Sequence, residues 1–148
     1  MIILCDTRQQ AGKHKNIDAY LEKTGIQSAR QALFVGDYQI ANDGRVCVDT
    51  KMSVRELAMD IYQDHERFKR ECKRAQDAQI QLYVLTEETL PNGRLDQWQP
   101  PEGCKVDPKN LRRALITMTA KYGVKFLFCD ARSTGKVLID LLTTKGEW

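Results

Sequence analysis

The sequence predicts an α/β fold in which a mixed β-sheet is flanked by α-helices. Three observations lead there. A hairpin signal surrounds Asn42-Asp43-Gly44, between two runs of alternating polar and apolar residues. Beyond it, apolar runs of strand length alternate with stretches of helical period. Residues that start and stop helices bracket those stretches.

Taken in order, Met1-Ile2-Ile3-Leu4-Cys5-Asp6 is too short an apolar run for a secretory leader and reads as a strand over 2–6. A helix over about 15–23 ends at Gly25, and an extended segment near 31–35 leads into the hairpin. Ser53, with Glu56 three residues on, forms a capping box that opens a helix to about Tyr62. A second helical run, continuous with it or separate, reaches about Gln79. It carries an apolar stripe of Phe68, Cys72 and Ala75, with Arg67, Arg70 and Arg74 on another face. Residues 80–85 read as a buried strand. The stretch 86–106, with Pro91, Asn92-Gly93, Pro100-Pro101 and Gly103, reads as irregular. Asp107 at the N-cap and Pro108 at the first position start a helix with Leu111, Leu115, Met118 and Tyr122 on its apolar face. Gly123 ends it. A last strand over 124–129 and a final helix over about 132–142, capped by Ser133 or Thr134, complete the chain. The whole, 1–148, is expected to be one domain.

The hairpin carries the chemistry. Read as a three-residue loop with Gly44 at the positive-φ place, it pairs Ala41 with Arg45, Gln39 with Cys47 and Asp37 with Asp49. It also sets Ile40 opposite Val46 and Tyr38 opposite Val48. Alternation then turns Tyr38, Ile40, Val46 and Val48 to a core and gathers Asp37, Asp49 and Lys51 on the other face. A two-residue Asp-Gly turn would oppose Tyr38 to Asp49 and mix polar with apolar on both faces. Two opposed carboxylates repel by roughly a few tenths of a kcal/mol or more. A divalent cation offsets that best, and Mg²⁺ (or Mn²⁺) is typically held by one or two carboxylates, waters and phosphate oxygens. Lys51 can then orient a water or stabilise charge developing at phosphorus. The implied reaction is metal-assisted phosphodiester hydrolysis. The competing reading is an exposed hairpin face with ordinary surface charges.

At these residues the sequence resembles the nuclease domain of XPF-type structure-specific endonucleases, within the restriction-endonuclease-like PD-(D/E)XK superfamily. Gly36-Asp37 matches the first part of that family's signature, and Asp49-Thr50-Lys51 stands where its Glu-Arg-Lys would. Cys5-Asp6-Thr7-Arg8 looks like its opening D-x-R strand end. Ser53-Val54-Arg55-Glu56-Leu57, followed by Glu66-Arg67-Phe68, looks like its S-V-x-D-L helix and R-F segment. Gln81-Leu82-Tyr83-Val84-Leu85 resembles the next core strand, and residues 111–142 its closing helix–strand–helix. The resemblance implies Asp37 and Asp49 as metal ligands, Lys51 and Asp6 as further catalytic residues, and Arg8 as a DNA contact, with Glu56 as an additional acidic candidate. It departs from the family in Asp49 for Glu, in Thr50 for Arg, in Gln9 where Glu is common, and in a Glu56 placed one residue late. Thr50 is expected on the opposite face, away from the metal.

The resemblance implies an Mg²⁺-dependent deoxyribonuclease acting on branched or flap DNA. It also implies a homodimer formed through the late helices and strand. In support of pairing, Leu111, Leu115, Ile116, Met118 and Tyr122, then Val137, Leu138, Ile139, Leu141 and Leu142, span broad apolar arcs. The alternative is that the monomer covers both helices. Two other functions stay open: a catalytically inactive DNA-binding or dimerisation module, and a junction resolvase or exonuclease. Family members usually add a helix–hairpin–helix module, which these residues do not contain, so substrate preference is the part least carried over.

Composition narrows little further. A net charge of +3 permits nucleic-acid binding without demanding it. The five cysteines have no C-x-x-C pair and read as reduced residues of an intracellular protein, cytoplasmic or nucleoid-associated. No apolar run has transmembrane length, so no membrane partner is expected. Arg67, Arg70 and Arg74 either track a phosphate backbone or form a solvated face paired with Glu66 and Glu71. Trp98 either stacks on a base or pins its loop. Ser133-Thr134-Gly135-Lys136 lacks the upstream glycine of a phosphate loop.

Overall fold

A computed structural model describes residues 1–9 and 14–144. Its strands are β1 (Ile2–Cys5), β2 (Gln27–Arg30), β3 (Tyr38–Ile40), β4 (Asp43–Lys51), β5 (Gln81–Thr86) and β6 (Lys125–Phe128). Its helices are α1 (Lys15–Thr24), α2 (Val54–Tyr62), α3 (His65–Asp77), α4 (Pro108–Tyr122) and α5 (Thr134–Thr143). The strands form one sheet in the order β2-β1-β3-β4-β5-β6, antiparallel at β1–β3 and β3–β4 and parallel elsewhere. This is the mixed, helix-flanked sheet the sequence predicts.

Apolar residues cover both faces of the sheet. On one, Ile17 and Leu21 of α1 and Leu138, Leu141 and Leu142 of α5 pack with Ile3, Tyr38, Val48, Tyr83 and Leu85. On the other, Leu57 of α2, Phe68 of α3 and Leu111 of α4 pack with Val35, Cys47, Leu82 and Val84. The central strands are therefore buried on both sides, which suits their near-continuous apolar runs. Gly135 lets α5 press against α1: a Cβ there would lie 2.4 Å from the Tyr20 Cβ. Its place in the chain is a packing requirement, in keeping with the rejection of a phosphate loop.

The hairpin turn begins one residue earlier than expected and is two residues long instead of three. Ala41 and Asn42 make the turn, Ile40 opposes Asp43, and Asn42 rather than Gly44 takes the positive φ, at 65°. Asparagine tolerates that region because its short amide can hydrogen-bond locally. An irregularity in the ladder then restores Tyr38 opposite Val48, the predicted register at the site end. The face assignment survives, since Tyr38, Val46 and Val48 enter one cluster and Cys47 the other.

Other boundaries shift as well. The extended segment expected near 31–35 is a loop, and the strand lies at Gln27–Arg30, paired in parallel with β1. Ser53 caps α2 as predicted, its Oγ accepting from Glu56 N at 3.1 Å. Ser133 occupies the N-cap position of α5 as predicted, though its side chain makes no cap bond, and Asp130 caps the short 3-10 turn before it by accepting from Arg132 N. The segment between β5 and α4 contributes Leu90, Leu95 and Trp98 to the core. Trp98 Nε1 donates to Glu88 Oε2 at 2.7 Å, while Glu88 Oε1 accepts from Val54 N at 2.9 Å. Trp98 thus pins its loop to the start of α2. The apolar arcs of α4 and α5 are mostly covered inside the chain, α4 by this loop and α5 by α1, which removes most of the helix argument for a dimer. Ile116 stays 52% exposed.

Candidate active site

Three chain segments bring carboxylates to the same end of the sheet. Asp6 follows β1, Asp37 precedes β3 and Asp49 sits near the end of β4. Backbone bonds lock them together: Asp6 N donates to Asp37 O at 2.8 Å, and Asp37 N to Val48 O at 2.9 Å. Gly36 has a φ of 75°, and a Cβ on it would meet Val48 O at 3.2 Å. Glycine before Asp37 is what allows this close approach to β4.

Asp6, Arg8, Asp37, Asp49, Lys51, Glu56, Arg67, Arg70 and Arg74, all singled out from the sequence, line one cleft of about 600 Å³. Their partners separate them. Both oxygens of Asp6 are engaged in holding structure: Oδ1 accepts from Leu33 N at 2.9 Å and Oδ2 from Arg8 Nε at 2.8 Å. Arg8 in turn donates to Leu33 O at 2.9 Å. Glu56 Oε2 accepts from Met52 N at 3.2 Å at the start of α2.

Asp37 Oδ2 accepts from Thr50 N at 2.9 Å and from Thr50 Oγ1 at 2.8 Å. Buried His14 places Nε2 3.0 Å from the same hydroxyl. Thr50 keeps the Val48 face that alternation predicts, meeting His14 beside Tyr38, but it is not apart from the site, because the Asp37 carboxylate bonds to it. Asp37 lies outside the β3 ladder, so strand alternation does not constrain its side chain, and it reaches Thr50 across β4.

Two residues of the site were missed by sequence reasoning. Lys51 Nζ pairs with Asp49 Oδ2 at 3.1 Å and also with Asp60 Oδ2 of α2. Asp60 sits in the otherwise apolar run Leu57-Ala58-Met59-Asp60-Ile61, and an acid inside such a run was the available signal. Glu71 lines the cleft instead of forming part of a solvated charge pair. It lies four residues after Arg67 and three before Arg74, on their face of α3. Among the described residues its Oε1 is buried with no hydrogen-bond partner.

The electrostatics of this cluster are frustrated. Burial, then the neighbouring Asp37 carboxylate, push the Asp49 pKa well above the usual carboxylate range, against the pull of Lys51. Burial works against the charged form of Lys51, but Asp49 and Asp60 together outweigh it and raise its pKa. Burial, then Asp49, push Glu71 up to about 7 from an ordinary 4.5. The folded chain therefore keeps this proton between pH 4.5 and 7, where the unfolded chain has released it. Stability of the metal-free protein should fall as pH rises through that window, on the order of 3 kcal/mol from Glu71. Chemical denaturation in EDTA at the two ends of the window measures this, and Glu71→Gln should remove its share. An equal slope in the variant would place the titration elsewhere.

With the site described, comparison with known proteins places the fold. The ERCC4 domain family model matches residues 5–140, and the chain belongs to that family. Among solved structures it is similar to XPF from Aeropyrum pernix, with 18% identity and a TM-score of 0.73 over 99% of this chain and 66% of that one. It is similar too to XPF from Aeropyrum pernix in complex with DNA, with 18% identity and a TM-score of 0.72 over 97% of this chain and 64% of that one. The chain thus spans just under two thirds of the length of those structures. No curated protein matches the sequence. The fold is that of the XPF-type nuclease. Among the described residues, no helix is long and apolar enough to cross a membrane.

Proposed function

We propose that this chain is a divalent-metal-dependent DNA endonuclease, with Asp37, Asp49 and Lys51 at its centre. One observation carries the reading: two carboxylates and an amine meet in a cleft whose α3 wall bears Arg67, Arg70 and Arg74. The donor chemistry fits Mg²⁺ or Mn²⁺. Asp37 and Asp49 present hard oxygens, and burial, then the neighbouring Asp37 carboxylate, disfavour a charged Asp49 in the absence of a cation. Among the described residues no set of three or more His, Cys, Asp or Glu side chains is grouped to hold a metal, so waters and substrate phosphate would complete the coordination. Asp37 and Asp49 would hold the ion, with Thr50 fixing one Asp37 oxygen by two hydrogen bonds. The bound ion supplies Lewis acidity toward the scissile phosphodiester. Lys51, held between Asp49 and Asp60, faces that position as a fixed cation. The arginines on α3 hold the DNA backbone, and Arg8 adds a contact at the cleft edge.

Labelled flap, fork, four-way junction and linear duplex DNA, each incubated with Mg²⁺, Mn²⁺ or EDTA, test this. Cleavage is expected with either metal, strongest on branched substrates, and none in EDTA. Binding without cleavage of any substrate would overturn the enzyme reading in favour of an inactive DNA-binding module.

A two-fold dimer is the second part of the proposal. Strand β6 lies at the end of the sheet order, so its outer edge has no partner strand among the described residues. All four of its residues, Lys125–Phe128, are half-buried, and Ile116 of α4 is exposed. An apolar edge of this kind is a ready pairing surface. Sedimentation equilibrium at micromolar concentration should give twice the 17.0 kDa chain mass. A monomer mass that neither concentration nor DNA changes would sink the dimer.

A further inference from the structure

Phe34 stands in the loop before Gly36, and 57% of it is open to solvent. Single exposed apolar residues are ordinary, so exposure alone carries nothing. What sets this ring apart is how it is held. Its neighbours on both sides, Leu33 and Val35, are buried, Val35 in the core. The Leu33 amide is bonded to Asp6 and its carbonyl to Arg8. Phe34 therefore sits on a backbone segment tied to Asp6 and Arg8, which fixes where its side chain leaves the chain. From α3, the Arg74 guanidinium lies over the ring, 5.7 Å from its centroid. Arg74 also lines the cleft, so the aromatic ring is joined to the cleft wall by a cation–π contact.

We propose that Phe34, backed by Arg74, is a stacking platform for an unpaired nucleobase at the mouth of the cleft. This rests on the reading of the cleft as a DNA site and deepens it by naming the feature of DNA it prefers. In continuous duplex both faces of each base are covered by neighbouring bases, and a fixed ring has nothing to stack on. At a flap, fork or single strand a base face is free. Phenylalanine has no polar group with which to read base edges, so the platform accepts any base. The guanidinium beside it serves a neighbouring phosphate as readily as it serves the ring. The selection of branched over linear DNA then comes in part from this one loop.

Fluorescence anisotropy in EDTA, with labelled single-stranded, forked and continuous duplex DNA, separates binding from cleavage. Phe34→Ala should weaken binding to the single strand and the fork by about tenfold, with the duplex changed less than about twofold. Phe34→Leu, which keeps apolar bulk but has no aromatic face, should weaken it similarly, and Phe34→Trp should retain it. Equal losses on fork and duplex, or no loss on the fork, overturn the proposal. So does a Phe34→Leu protein that binds forks like the wild type. A wild type that binds forks through Phe34 but never cuts them overturns the nuclease reading and supports this one. A wild type that binds no DNA overturns both.

Discussion

Asp49→Asn protein is expected to cut branched DNA in Mg²⁺ at less than about one hundredth of the wild-type rate while binding it about as well. The change removes one negative charge from the metal position and leaves side-chain volume unchanged. Binding draws mainly on phosphate contacts, which the arginines of α3 supply elsewhere in the cleft. The same variant should be more stable than wild type in EDTA at neutral pH, because a buried carboxylate crowded by Asp37 is gone. Asp37→Asn should lose cleavage equally, and its amide oxygen can still accept from Thr50, so the loop before β3 keeps its place. Single-turnover cleavage and denaturation in EDTA read these effects. Near-wild-type cleavage by either variant would remove the assignment.

Lys51→Met should have the second large effect, on rate and stability together. Lys51 bridges Asp49 and Asp60, and all three side chains are largely buried. Removing the cation while keeping the apolar stem strands two carboxylates, a loss on the order of 3–5 kcal/mol in metal-free protein. Cleavage should fall by about 10²-fold. Metal affinity should rise, because the ion no longer competes with an ammonium for Asp49. Mg²⁺ should then restore more stability to the variant than to wild type. Normal cleavage with a large loss of DNA affinity would instead make Lys51 a phosphate clamp.

Much of this site was legible because its pieces obey local rules. Gly36-Asp37 and Asp49-Thr50-Lys51 lie on or beside strands, where period-2 alternation assigns faces, and Ser53 with Glu56 announces the helix that follows. Asp60 and Glu71 were not legible in that way. Asp60 lies only nine residues after Lys51, but which way α2 turns from β4 is set by tertiary packing, and Glu71 comes from a further helix, so nothing local says that either acid will face the site. The Asp37–Thr50 contact escapes the sequence for a related reason. Alternation describes residues inside a ladder, and Asp37 lies one residue outside it. The strand over Gln27–Arg30 was missed because its four exposed residues carry no apolar signal, and only pairing with β1 makes them a strand.

The irregularity between Tyr38 and Ile40 also bears on how this chain can be altered. Pairing at the site end, Tyr38 with Val48, is held by the buried pair itself and by the Asp37–Val48 backbone bond. The Asn42 end of the tip is set apart from it by the extra β4 residues of the irregularity, while Ala41 N stays bonded to Ile2 O at 2.8 Å. Length at the tip is therefore free to drift: a residue gained or lost there would be taken up before it reached Asp49. That makes the tip a natural port for an inserted tag or a reporter loop, and a place where relatives can differ in length without disturbing the geometry beneath.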